Sequence, residues 1–364
     1  MQSLKVLIVD DSAVYRTQIT AALESVSWLD IVGTASNGRI AIERIESLKP
    51  DFVILDLEMP ELDGIATLKE IKHRRIRCKT LVFSSHSREG GEVTLQALSL
   101  GAADFVAKPD GQPLQGDSPA ERIRTLLLPK LEALKPSSIV HADSRRSSTT
   151  TRASGVLWDI FKPRIVVIGS STGGPTVIEK IAHLLQPPFS VPIVIAQHMP
   201  PLFTTTFAER ISSIVKVHAI EAADKMLLQP NTIYIAPGDY HVRISGTVEQ
   251  PIFNLDQGPK INSVRPAVDP LFDSAAALYG ERCLAIVLTG MGADGKSGAA
   301  SVKAQRGAVV IQSEESCVVF GMPGAVFASG NYDLVGDPEQ IASWLNEKIS
   351  KNFSHFSTHG GRHV

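Results

Sequence analysis

Short β-rich runs alternate with amphipathic helical stretches in two successive series along the chain, and this alternation restricts the fold more than any other feature. The first series has strand candidates near residues 4–9, 31–35, 51–55, 79–83 and 104–106. The second begins after Pro163, with candidates near 165–168, 193–196, 232–235, 284–288 and 308–311. Strand, helix, strand repeats need a crossover between parallel neighbours, so each series predicts an α/β domain, a doubly wound parallel sheet with helices on both faces. Five strands suit a flavodoxin-like order in the first, and the second domain is larger. Tyr240 to Leu255 reads as an inserted hairpin with turn residues Ser245 and Gly246.

A chain of 364 residues exceeds the size at which one core stops growing, which agrees with two domains. Residues 136–154 are rich in Ser, Thr and Arg with no apolar period, the pattern of a linker. The boundaries follow as 1–128 for the first domain, 129–162 for the linker, 163–350 for the second domain and 351–364 for a disordered polar tail. His355, His359 and His363 in that tail read as part of a frayed terminus rather than a metal site. The composition, 43% hydrophobic and 20% charged, is that of a soluble protein, and no apolar run approaches the about 18 residues of a membrane helix. No export signal precedes the first strand, and Cys78, Cys283 and Cys317 form neither a disulfide framework nor a metal-ligand spacing, so a cytoplasmic location is expected. A net charge of -2 gives no general attraction to nucleic acid, and no helix-turn-helix pattern supports a DNA-binding output.

Carboxylates and a lysine mark the strand ends of the first domain. Asp10 and Asp11 follow the first strand and Asp56 follows the third, the two strands expected at the switch point where open α/β sheets bind ligands. Three carboxylates that close together call for a counter-charge, which a hard divalent cation such as magnesium supplies while one of them attacks phosphorus. Ser84 and Lys108, at the ends of the fourth and fifth strands, are placed to grip a phosphoryl oxygen. With Asp10-Asp11-Ser12, Asp56 followed by Met59-Pro60 and Asp63-Gly64, Ser84, Phe105 and Lys108-Pro109, positions 4–128 resemble the receiver domain of response regulators. The resemblance implies phosphorylation of Asp56 by a histidine kinase. It also implies magnesium held by Asp11, Asp56 and the Glu58 backbone carbonyl, with Asp10 nearby, and a switch through Ser84, Phe105 and Lys108.

In the second domain three strand ends carry polar loops: Gly169 to Pro175, Gln197 to Pro200, and Thr289 to Gly295. A glycine-rich turn before a helix suits a phosphate or an oxyanion, but neither a Walker Lys-Ser/Thr pair nor dinucleotide-binding spacing is present. A serine hydroxyl needs an imidazole to take its proton, and the imidazole needs a carboxylate to orient it; His198 and Asp294 sit in the two other loops. Ser170 and Ser171 are adjacent at a strand end and cannot both face the cleft. Gly169-x-Ser171-x-Gly173 fits the nucleophile elbow of α/β-hydrolases, but His198 precedes Asp294, the reverse of that family's order.

The longer strings Ile168 to Gly174, Gln197 to Pro200, Tyr234 to Asp239, Arg265 to Asp269, Leu288 to Gly295 and Ser316 to Pro323 resemble the chemotaxis response-regulator methylesterases, the CheB family. Ser170 stands where that family is expected to have Ala. The resemblance implies Ser171 as nucleophile, His198 as base and Asp294 as orienting acid, with Thr172 and the Met291 backbone in supporting roles. It further implies hydrolysis of glutamate methyl esters on chemoreceptors, deamidation of receptor glutamines, no cofactor for the esterase domain, and a monomer whose unphosphorylated receiver covers the catalytic cleft. The alternative from another class is a receiver driving a non-catalytic phosphate- or partner-binding output domain.

Overall fold

The computed structural model describes residues 3–109, 118–135 and 158–351, which fall into two compact units. The first is a five-stranded parallel sheet of β1 (Leu4–Val9), β2 (Leu29–Ala35), β3 (Phe52–Leu55), β4 (Lys79–Ser84) and β5 (Asp104–Ala107), in the order β2-β1-β3-β4-β5. Val6 to Val9 and Phe52 to Leu55 are buried throughout, as uninterrupted apolar strands covered on both faces must be. Helices α1 (Ala13–Leu23), α2 (Gly38–Leu48), α3 (Gly64–His73), α4 (Arg88–Leu100) and α5 (Pro119–Ala133) each start behind a Ser, Asn or Asp whose side chain accepts a first-turn amide. The strand order reverses between β1 and β3, which opens the crevice into which Asp10 and Asp56 project. Helix α5 runs on to Ala133, past 128, with Pro129 inside it and Leu131 and Leu134 fully buried.

The second unit is a seven-stranded parallel sheet in the order β14-β13-β12-β6-β7-β9-β8. Its strands are β6 (Ile165–Ser170), β7 (Ile193–Gln197), β8 (His218–Glu221), β9 (Thr232–Ile235), β12 (Cys283–Val287), β13 (Ala308–Gln312) and β14 (Leu334–Gly336), while β10 (His241–Gly246) and β11 (Pro251–Asp256) form a separate antiparallel hairpin. The hairpin turn is Thr247–Gln250, and Ser245 and Gly246 are still paired strand residues opposite Ile252 and Pro251. Among the described residues its α-helices are α6 (Gly174–Leu184), α7 (Phe203–Val215), α8 (Val268–Tyr279), α9 (Lys296–Ala304), α10 (Met322–Ser329) and α11 (Pro338–Ile349).

Alternation along the strands divides the core in two. Ile165, Val167, Val194 and Ala285 pack with α8, α9 and the hairpin, whereas Ile168, Ile193, Ile195 and Ile233 face α6, α7 and α11. The second-unit residues described start at Trp158, a buried aromatic within the stretch read as linker; most of that stretch and residues 352–364 of the tail lie outside the described residues. Among the described residues no helix is long and apolar enough to cross a membrane.

Candidate catalytic and phosphoacceptor sites

At the carboxyl ends of β1 and β3, one oxygen each from Asp10, Asp11 and Asp56 lies within 4.8 Å of the others. Lys108, which follows β5, places Nζ 3.0 Å from Asp10 Oδ2 and 2.9 Å from Asp56 Oδ2, with the Tyr15 ring 4.6 Å beneath the ammonium. Burial drives Asp10 above the usual carboxylate range against the pull of Lys108, and pushes Asp56 up to about 6. Among the described residues Asp10 Oδ2, fully buried, is met only by that one ammonium. Three carboxylates facing a single cation fit a hard divalent ion with oxygen ligands.

Around this cluster the Glu58 amide donates to Asp56 Oδ1 (3.4 Å), and its side chain accepts from Ser85 Oγ (2.7 Å). Ser84 is buried at the end of β4 beside Lys108, whose amide donates to the Ser84 carbonyl (2.7 Å). The Ser84 hydroxyl itself turns away to Gly90 O (3.4 Å) at the start of α4. Phe105 is a buried ring on β5, with Lys130 Nζ 5.9 Å from its centroid.

In the second unit Ser171, His198 and Asp294 follow β6, β7 and β12, three consecutive neighbours in the sheet. The pairing of β6 with β7 ends at Ser170 opposite Gln197, and the His198 amide donates to the Ser170 carbonyl (3.1 Å). Ser171 and His198 are therefore side by side, one position beyond the last paired residues. His198 Nε2 lies 2.8 Å from Asp294 Oδ2. A carboxylate against Nε2 fixes the proton on that nitrogen and leaves Nδ1 as the basic one. No hydrogen bond joins Ser171 Oγ to the imidazole among the described residues. The two residues follow adjacent strands, whose axes lie about 4.8 Å apart.

Asp294 is held from every side. Oδ2 also accepts the Val268 amide (2.6 Å), while Oδ1 accepts the Asp269 amide (3.1 Å), the Gly295 amide (2.9 Å) and Asn262 Nδ2 (3.0 Å). Burial by itself would raise its pKa, yet the bond and charge of His198, together with the amides at the start of α8, hold it below the ordinary range. The carboxylate is thus ionised and aimed at the imidazole. The start of α8 can come this close because Gly169 carries no side chain; a Cβ there would overlap Val268. Gly290 does the same for Ser171, since a Cβ would collide with Met322 Sδ and the Ser171 side chain.

The two adjacent serines separate by their contacts. Ser170 is completely buried and donates to Gln197 Oε1 (2.6 Å), and Gln197 Nε2 in turn donates to the Ser171 carbonyl (3.0 Å). Ser171 follows the strand end and faces the loops. Thr172 is buried, its carbonyl accepting from Thr289 Oγ1 (3.0 Å), while the Met291 amide donates to no backbone carbonyl among the described residues. Gln197, Asn262 and the α8 amides were not singled out from sequence. Only the polar tail of β7 hinted at Gln197.

A family model described as CheB methylesterase matches residues 166–345, and one described as response regulator receiver domain matches residues 6–115. The chain is 39% identical over 352 residues to a protein-glutamate methylesterase/protein-glutamine glutaminase of Trichodesmium erythraeum (strain IMS101), covering 96% of this chain and 100% of that one. A protein of the same description from Thermotoga maritima is 40% identical over 350 residues, 95% of this chain and 98% of its own. The crystal structure of the Thermotoga maritima CheB methylesterase catalytic domain superposes with a TM-score of 0.50 at 45% identity, covering 51% of this chain and 98% of that one.

Proposed function

The chain belongs to the CheB methylesterase family, and from that membership we propose that it is a phosphorylation-activated protein-glutamate methylesterase and protein-glutamine glutaminase acting on chemoreceptors. The observation that carries the reaction is the His198–Asp294 pair (2.8 Å) beside Ser171 at the ends of three neighbouring strands. Ser171 Oγ attacks the ester carbonyl as His198 Nδ1 takes its proton, and Asp294 stabilises the imidazolium. The charge on the tetrahedral oxygen falls to backbone amides, with Met291 as the donor and Thr172 supporting the loop. Methanol leaves with the proton from His198, and water attacks the acyl-enzyme by the same route in reverse. A glutamine side chain presents the same carbonyl and releases ammonia instead. No cofactor is required for these steps.

Asp56 is the phosphoacceptor in this reading, a histidine kinase the phosphodonor, and Ser84, Phe105 and Lys108 the residues that respond. Asp11, Asp56 and the Glu58 carbonyl, beside Asp10, would hold magnesium, which would supply charge to offset that of an incoming phosphoryl group. The three cysteines are free, in keeping with a cytoplasmic enzyme. We read it as a monomer that neither enters the membrane nor binds nucleic acid. The segments 1–128, 129–162, 163–350 and 351–364 remain the proposed division into receiver, linker, esterase and tail.

The test is methanol release from methylated receptor membranes, with and without a small phosphodonor. Asp56→Ala is expected to keep the basal rate and lose the stimulation; stimulation of the variant equal to that of the parent would place control elsewhere. A second expectation concerns magnesium and pH. Because burial raises Asp56 to about 6, the metal-free receiver should lose stability as pH rises from about 4 through about 6, where the folded state must give up a proton it holds more tightly than the unfolded chain does. Magnesium should therefore raise the melting temperature at pH 7.5 and much less at pH 5, where protonated carboxylates do not ligate. Equal shifts at both pH values would mean that these acids do not hold the ion.

A further inference from the structure

Asp294 shares its corner with a second acid, which is half-buried. Asp269, the second residue of α8, accepts the Gly298 amide of α9 on Oδ1 (2.8 Å), while Asp294, just before α9, accepts the first amides of α8. Each helix start is thus tied to the acid belonging to the other. The arrangement brings two carboxylates together, and the Nδ2 of Asn262 lies between them, 3.0 Å from Asp294 Oδ1 and 3.1 Å from Asp269 Oδ2. An amide nitrogen has two protons, and here each carboxylate takes one.

Asn262 reaches this position through its backbone. Ile261 and Val264 exchange both of their backbone hydrogen bonds (3.2 and 3.0 Å) around Asn262 and Ser263, which have φ of 52° and 66°. This is a two-residue turn with both central residues left-handed, a geometry that Asn and Gly accept and most residues resist. The turn is anchored beyond Val264, where Arg265 pairs with Asp239 (2.6 Å) and donates to the carbonyls of Gln257 and Gly258.

We propose that Asn262 is a positioning residue for the esterase reaction: its side-chain amide bridges Asp269 and Asp294, relieves their repulsion and keeps Asp294 Oδ2 directed at His198. The inference rests on the reading of Asp294 as the orienting acid. The electrostatics of the pair agree with it. Burial and the charge of Asp294 raise Asp269 above the usual range, while the Gly298 amide and Asn262 oppose the rise. Without the bridge, Asp294 Oδ1 would lose one of its three donors, and the repulsion of Asp269 would act unshielded on the carboxylate that meets His198.

The discriminating variant is Asn262→Gly, which retains a residue suited to the turn and removes the amide. Expected are a fall in kcat of about 10- to 100-fold, the scale of a small misplacement of a reacting group, with KM and melting temperature close to the parent. Adding Asp269→Asn removes the charge that the amide offsets, so the double variant should recover most of the lost kcat. A turn that merely shaped the loop would show no such recovery. Asn262→Asp, also compatible with the turn, places a third carboxylate in the corner and should lose more than the glycine variant. A parental kcat in Asn262→Gly, or a double variant no better than the single one, would overturn the proposal. Asp294→Asn, measured in parallel, separates the two levels. If it is inactive while Asn262→Gly is fully active, Asn262 alone is excluded; if it keeps full activity, the role of Asp294 falls and this proposal with it.

Discussion

Replacing Ser171 by alanine is expected to lower methanol release from a methylated receptor by at least about 10⁴-fold, because Ser171 is the residue proposed to carry the acyl group. The fold should be unaffected, since the hydroxyl makes no hydrogen bond that the described residues need. Ser170→Ala is the matched control. Its hydroxyl is buried against Gln197 Oε1 (2.6 Å), so its loss should cost about 1 kcal/mol of stability and leave the rate within a few-fold of the parent. An inactive Ser170→Ala beside an active Ser171→Ala would reverse the assignment of the nucleophile. Serine-directed phosphonate labelling of the parent, lost in Ser171→Ala, would identify the residue chemically.

The second large effect is expected at Asp294. An asparagine there offers an N–H where Nε2 of His198 now finds a carboxylate, so the imidazole shifts its proton to Nδ1 and can no longer accept one from Ser171. A loss in kcat of about 10³- to 10⁴-fold is anticipated from the wrong tautomer alone. Stability should fall as well, because Asp294 accepts four protein N–H groups besides the imidazole, and an amide cannot accept them all. Activity and thermal denaturation measured together distinguish the two losses. A variant that is less stable yet equally active would remove Asp294 from the reaction.

The same corner also weakens the competing idea of a phosphate-binding output domain. A site meant for an anion would gain from the glycine-rich start of α6 but suffer from an ionised carboxylate anchored to His198 one strand away.

Sequence carried most of the architecture because long, fully buried strands leave a clear mark. Ile165 to Ile168 and Ala285 to Val287 could hardly be anything else. It missed β8 and β14, the two edges of the large sheet, for a physical reason: His218–Glu221 and Leu334–Gly336 are too short, and half exposed in β8, for a period of two to emerge. The hairpin was legible but its turn was set early, since Gly246, with φ of 92°, closes the strand rather than opening the turn. At the sites, residues whose chemistry is carried by their own side chain stood out, as Asp56, Lys108, His198 and Asp294 did. Residues that matter through what they hold did not. Val268 contributes an amide, Asn262 an unremarkable side chain in a tight turn, and Gln197 a link between two loops; none of these differs in sequence from ordinary structural use.

The proposed nucleophile and base owe their neighbouring places to the last rung of a parallel ladder, Ser170 opposite Gln197, in the buried centre of the sheet. Backbone pairing of that kind is set by the sheet itself and not by the rotamer of either side chain. On the proposed reading the backbone places of the two groups are set, and what remains to be completed is the hydrogen bond between their side chains.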